Sequence, residues 1–112
     1  MAGFKGGAGM GGNMQNLMKQ AQKMQEQIRE TEKLLDEWEI VGTSGGEAVV
    51  VYMNAKKTID GIELDPKVVD PEDVEMLEDL IVAAINDGYK KADEVYKEKM
   101  GPFGGGLGNM GF

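Results

Sequence analysis

The chain of 112 residues contains no cysteine and no histidine. Cysteine–histidine zinc sites, thiol nucleophiles, disulfides and every Ser-His-Asp relay are thereby excluded. Proline occurs only three times, and Arg29 and Trp38 are the single arginine and the single tryptophan. No apolar run approaches the roughly 20 residues of a membrane span, and no charged-then-apolar leader opens the chain. A soluble, cytoplasmic protein without membrane contact is expected.

Glycine, by contrast, is abundant and unevenly placed. Six of the first 13 residues and six of the last 12 are glycine. Glycine at that density loses much backbone entropy on ordering and has no side chain to bury, so flexible tails are expected at 1–12 and 101–112. A single folded domain is expected over 13–100. A unit of that size buries only about two-thirds of its surface, which makes a second subunit a natural source of stability.

The net charge is −8, with the charges segregated. Residues 1–29 set Lys5, Lys19, Lys23 and Arg29 against Glu26 alone, a balance of +3. Residues 30–88 hold four lysines and sixteen carboxylates, or −12, and residues 89–112 hold four lysines and three acids, or +1. Such asymmetry bears on partners more than the total does.

From Asn13 to Glu37 the residues Met14, Leu17, Ala21, Met24, Ile28, Thr31, Leu35 and Trp38 recur at alternating steps of three and four. That seam, set among Gln, Lys and Glu, predicts a helix roughly 36 Å long with Asn13 as its N-cap. It is longer than so small a domain can cover, so part of it projects or packs on another chain.

The period then changes. Trp38–Thr43 reads as a strand, Ser44-Gly45-Gly46 as a turn, and Ala48–Asn54 as an apolar strand covered on both faces. A third strand follows from about Lys57 to Leu64, with a bulge at Gly61 because Ile59 and Ile62 sit on opposite parities. Asp70-Pro71 predicts the cap and first residue of a second long helix running to about Met100. Its apolar stripe, Val74, Leu77, Leu80, Ile81, Ala84, Ile85 and Gly88, is wide enough to face two neighbours. The prediction is an α+β fold: long N-terminal helix, three-stranded antiparallel meander, long C-terminal helix.

No constellation of residues suggests catalysis. Gly7-Ala-Gly9-Met-Gly-Gly12 and Gly106-Leu-Gly108-Asn-Met-Gly111 match G-x-G-x-x-G, but neither follows a strand in a βαβ unit, and composition accounts for both. The carboxylates read as solvated helix faces, and Asp65 and Asp70, beside prolines, as turn and cap residues. No metal site, cofactor or enzymatic activity is expected.

The stretches Asn16–Ile28 and Glu75–Asp87, together with Gly42-Thr-Ser-Gly-Gly46, Glu63-Leu-Asp-Pro66 and the glycine-rich ends, resemble the YbaB/EbfC family of bacterial nucleoid-associated proteins. The resemblance covers the whole chain in order. It implies a homodimer with projecting helical arms that binds DNA in the nucleoid and influences its organisation and gene expression. Gly88 departs from the family pattern and sets the straightness of the second helix in question. The family's basic late helix corresponds to Lys90 and Lys91. With the charge segregation, the candidate DNA-binding residues are Lys19, Lys23, Arg29, Lys90, Lys91, Lys97 and Lys99.

Antiparallel packing of the two helices would gather the lysines on one outer arm, away from an acidic body. A single arginine favours phosphate contacts to double-stranded DNA over guanine readout, and the scarcity of aromatics disfavours single strands. The competing reading is an interaction scaffold whose Gln/Glu-rich helices dock proteins of recombination or replication.

Overall fold

The computed structural model describes the backbone of residues 2–103 and the side chains of residues 13–103. Of the glycine-rich ends expected to be flexible, residues 1 and 104–112 and the side chains of 2–12 lie outside the described residues. Helix α1 (Ala2–Glu37) leads into strands β1 (Glu39–Ser44), β2 (Val49–Asn54) and β3 (Ile59–Leu64), and after a short 3-10 turn at Pro66–Val68 the chain forms α2 (Val74–Met100). The strands make one antiparallel sheet in the order β1-β2-β3. The α+β architecture is therefore the one expected from the sequence.

Local chemistry explains the junctions. Gly45 and Gly46 take positive φ values of 58° and 64° in the β1–β2 turn, a conformation that costs glycine nothing. The side chain of Asn54 accepts hydrogen bonds from the Lys56 and Thr58 amides at 2.9 and 3.0 Å and closes the β2–β3 turn. In β3 the register slips between Tyr52 and Met53: Tyr52 faces Gly61 while Met53 faces Ile59. The extra residue, Asp60, is the bulge foreseen at Gly61, and it returns Ile59 and Ile62 to one face.

The entry to α2 differs from the expectation. Asp70 accepts from the Glu72 amide at 2.9 Å and closes a turn of its own, so it is not the helix cap. Asp73 is the N-cap and accepts from the Met76 amide at 3.2 Å. The Asp70 carboxylate is already engaged two residues on, which leaves Asp73 to satisfy a free amide of the first turn. At the other helix, α1 begins upstream of Asn13, which therefore lies within it.

The core is small. Leu35, Ile40, Val49, Val51, Met53, Ala55, Ala84, Ala92 and Met100 are buried between the sheet and α2 and at the end of α1. Phe103, in the 3-10 turn that follows α2, packs against this cluster, so the folded part extends past Met100. The seam of α1 joins the core only from Ile28 onward; Met14, Leu17, Met18 and Met24 stay exposed. The chain spans 86 × 23 × 17 Å with a radius of gyration of 22.8 Å, against about 13 Å for a compact chain of this length. Most of α1 is an arm.

Within the chain β2 is covered on one face only. Val49, Val51 and Met53 lie under α2, while Val50, Tyr52 and Asn54 are half-buried on the reverse face, where the Tyr52 hydroxyl donates to Glu63 Oε1 at 2.8 Å. The expected second cover is not supplied by this protomer.

Candidate nucleic-acid interface

Helix α2 does not project from the sheet. It lies along β1 and β2, and the row Ala84, Gly88, Ala92 is buried against them. Small residues at four-residue spacing let the helix backbone descend onto the strands. A Cβ added at Gly42 in β1 would run into the Ala84 carbonyl oxygen and the Gly88 backbone. Gly88, the residue that set the straightness of α2 in question, is the other half of this contact, and α2 passes through it without interruption.

That placement separates the candidate cations. Lys91 donates to the Val41 carbonyl oxygen at 3.0 Å and pairs with Asp87 at 3.0 Å, and Asp87 Oδ2 accepts from the Thr43 amide at 2.9 Å. The two side chains clamp the free edge of β1. Lys90 is exposed beside them on α2. Lys99 lies over the Trp38 ring, 5.2 Å from its centroid, where α2 ends against the end of α1. Lys19, Lys23 and Arg29 are exposed on α1.

Lys19 and Lys23 precede Trp38 by roughly 22 to 28 Å of helix axis. The lysines therefore do not meet at one tip, because α2 is spread over the sheet by its small-residue row. They form a distal group on the arm and a proximal group along the body. On the arm, Lys19 and Lys23 are one turn apart on the face opposite Met14, Leu17, Ala21 and Met24.

Sequence reasoning did not single out Lys56 and Lys57 in the β2–β3 turn. Lys57 meets Asp93 at 2.6 Å and sits over the Tyr89 ring, and Lys56 lies 3.6 Å from Asp36. Both tie the turn to the helices. The edge clamp by Asp87 was equally unforeseen; its one trace in sequence is the four-residue spacing to Lys91. Among the described residues no cluster of acids is arranged to hold a metal ion, and no helix is long and apolar enough to cross a membrane.

Asp87 gives the body a pH signature. The Thr43 amide, and then Lys91, hold its carboxyl below the ordinary value of 3.8. A lowered folded value means that the contribution is complete above that ordinary value and fades as pH falls through the lower one. Asp87→Asn is expected to reduce stability at pH 7 and to flatten the pH dependence of melting below about pH 4. Thermal melts of both proteins from pH 2 to 7 test this, and parallel curves would refute it.

Residues 10–107 match the model of the YbaB/EbfC DNA-binding family. The chain belongs to that family. It is 49% identical over 105 residues to a nucleoid-associated protein of Alkaliphilus metalliredigens, covering 92% of each chain. It is also 52% identical over 105 residues to a nucleoid-associated protein of Clostridium novyi, again with 92% of each covered. A crystal structure of an uncharacterized Helicobacter pylori protein shares its fold with a TM-score of 0.66 and 26% identity, covering 73% of this chain and 86% of the other. Membership in the YbaB/EbfC family makes this a non-enzymatic, DNA-binding class of protein. The family match takes in the arm, sheet and α2 together, and so includes both lysine groups.

Proposed function

We propose that this YbaB/EbfC protein is a bacterial nucleoid-associated protein that binds double-stranded DNA as a homodimer, mainly through phosphates. In that role it acts in the cytoplasm, on the nucleoid, and influences nucleoid organisation and gene expression. The observation that carries the reading is the family match over residues 10–107 in a chain whose residues 1–29 hold four cations against a single acid.

Lys19, Lys23 and Arg29 on the arm and Lys90, Lys97 and Lys99 along α2 are the proposed phosphate contacts. Lys91 contributes charge while its ammonium holds β1. The acidic middle of the chain repels DNA, which orients approach toward the basic arm. Phosphate contacts dominate because a lone arginine offers little bidentate guanine recognition. Two-fold symmetry would present two arms, so that one dimer grips a duplex twice.

Gel-shift titrations on two unrelated duplexes at 50 and 200 mM salt test the reading. Binding is expected on both, with affinity falling steeply with salt by about 0.9 log unit per tenfold salt for each phosphate contact. No shift at low salt, together with recovery of a recombination or replication protein in a pull-down, would favour the scaffold reading instead.

A further inference from the structure

Residues 13–27 of α1 are exposed throughout, because the arm leaves the core at Ile28. The apolar stripe does not stop there. Met14, Leu17, Met18 and Met24 carry it outward, 41–61% exposed, along the line by which Ile28 and Leu35 enter the core. The charges of this stretch avoid that line. At 3.6 residues per turn, Lys19, Lys23 and Glu26 stand roughly 150–170° round the helix from the stripe. The positions that flank the seam are held by Met18, Gln20, Gln25 and Gln27, all without charge.

We infer that the arms of two neighbouring molecules pair antiparallel through this stripe, with Met14 and Leu17 of each arm at the centre of the contact. A copy of the same helix suits the stripe, because neutral flanks bring no like charges together. A foreign coiled-coil partner is ordinarily selected by charges at those flanking positions, and here there are none. Direction follows from the body. From Ile28 onward the seam is filled by the chain's own core, so parallel arms would drive the two bodies into one space. Antiparallel arms put the bodies at opposite ends. The free helix runs from Ala2 up to Ile28, and a pairing that ends where each tip reaches the other body is centred beside Met14.

Size sets the strength. Four half-exposed apolar side chains from each arm bury roughly several hundred Å² in all, below the roughly 1,200 Å² of stable complexes and in the range of transient ones. The pairing is therefore weak in dilute solution and grows with concentration. It joins one molecule to the next and does not depend on how the bodies associate. Lys19 and Lys23 face away from the seam, so a paired arm keeps them for DNA. Molecules lying side by side on one duplex would hold their arms at high effective concentration, a coupling that rests on the proposed function as the pairing itself does not.

The absence of cysteine makes the contact directly testable. Full-length chains carrying Leu17→Cys, Met24→Cys or Lys19→Cys are each treated, without DNA, with a short bis-maleimide at rising protein concentration. Leu17→Cys is expected to form a covalent pair in a yield that rises with concentration. Met24→Cys is expected to stay unlinked, because antiparallel arms hold the two sulfurs roughly 25 Å apart along the axis. Lys19→Cys, near the centre but on the outer face, is expected to stay unlinked as well. Sedimentation equilibrium of the unaltered protein is expected to show a species larger than its smallest assembly, and Leu17→Glu is expected to lose it. A link at position 24 or 19, no link at 17, or a 17–17 link confined to the smallest assembly overturns the pairing. If the smallest assembly is a monomer, the homodimer of the proposed function falls while the pairing stands.

Discussion

Replacing Gly42 with alanine is expected to destabilise the protein by on the order of 3 kcal/mol or more, enough to lower its melting temperature by roughly 12 °C. The added methyl group has nowhere to go. It meets the Ala84 carbonyl oxygen and the Gly88 nitrogen and Cα, all of them backbone, in the middle of a helix that cannot yield locally. Relief requires lifting α2 off β1, which would pull Asp87 and Lys91 away from the strand edge and open the core around Met53.

Gly88→Ala is the informative companion. Its methyl group meets chiefly the Sδ and Cε of Met53, the far end of a flexible side chain, and alanine gains about 1 kcal/mol of helix propensity over glycine. Its net cost is expected to be clearly smaller than that of Gly42→Ala. Urea unfolding of both variants checks the order. Equal effects, or no effect at Gly42, would mean that helix and strand are not in backbone contact.

The double charge reversal Lys19→Glu with Lys23→Glu is expected to weaken DNA binding by on the order of tenfold or more at 0.1 M salt. The loss should be similar on unrelated duplexes, because phosphate contacts carry no sequence information. The salt dependence should also flatten by about 0.9 log unit for each contact removed. Neither side chain has a packing role on the exposed arm, so helical content and melting temperature should be nearly unchanged.

Reversal of Lys90 with Lys91 is a different experiment, since Lys91 also holds the Val41 carbonyl oxygen and Asp87. That pair should lose stability as well as affinity. Lys90→Glu alone separates the two effects. If the folded Lys19/Lys23 variant binds as the unaltered protein does, the arm is not where DNA is held.

The elements were legible because each carries a local signature. Alternation of three and four along Met24, Ile28, Thr31 and Leu35 places those residues on one helix face. The parity conflict between Ile59 and Ile62 pointed to the bulge that Asp60 supplies. The helix cap was misplaced by three residues because Asp70 and Asp73 are chemically equivalent caps. Which of them is free depends on the turn at Pro71, and Asp70 is bound to the Glu72 amide.

The site was less legible. Charge segregation along the sequence located the cations by segment, but the expectation of one lysine-rich tip assumed that α2 projects. What brings α2 down along the sheet is a meeting of Gly42 with Gly88, 46 positions apart in the chain, and neither glycine announces its partner.

The sequence by itself determined the order and type of elements, the resemblance to the family and the segregation of charge. These follow from periodicity, residue type and motif, which are properties of short stretches. Only the tertiary structure decided how the pieces lie: that α1 is an arm beyond Ile28, that α2 covers two strands of three, and that Lys91 serves β1 while Lys19 and Lys23 stay exposed. Those outcomes depend on contacts between residues far apart in the chain, where the space left by a missing Cβ on one element is filled by the backbone of another.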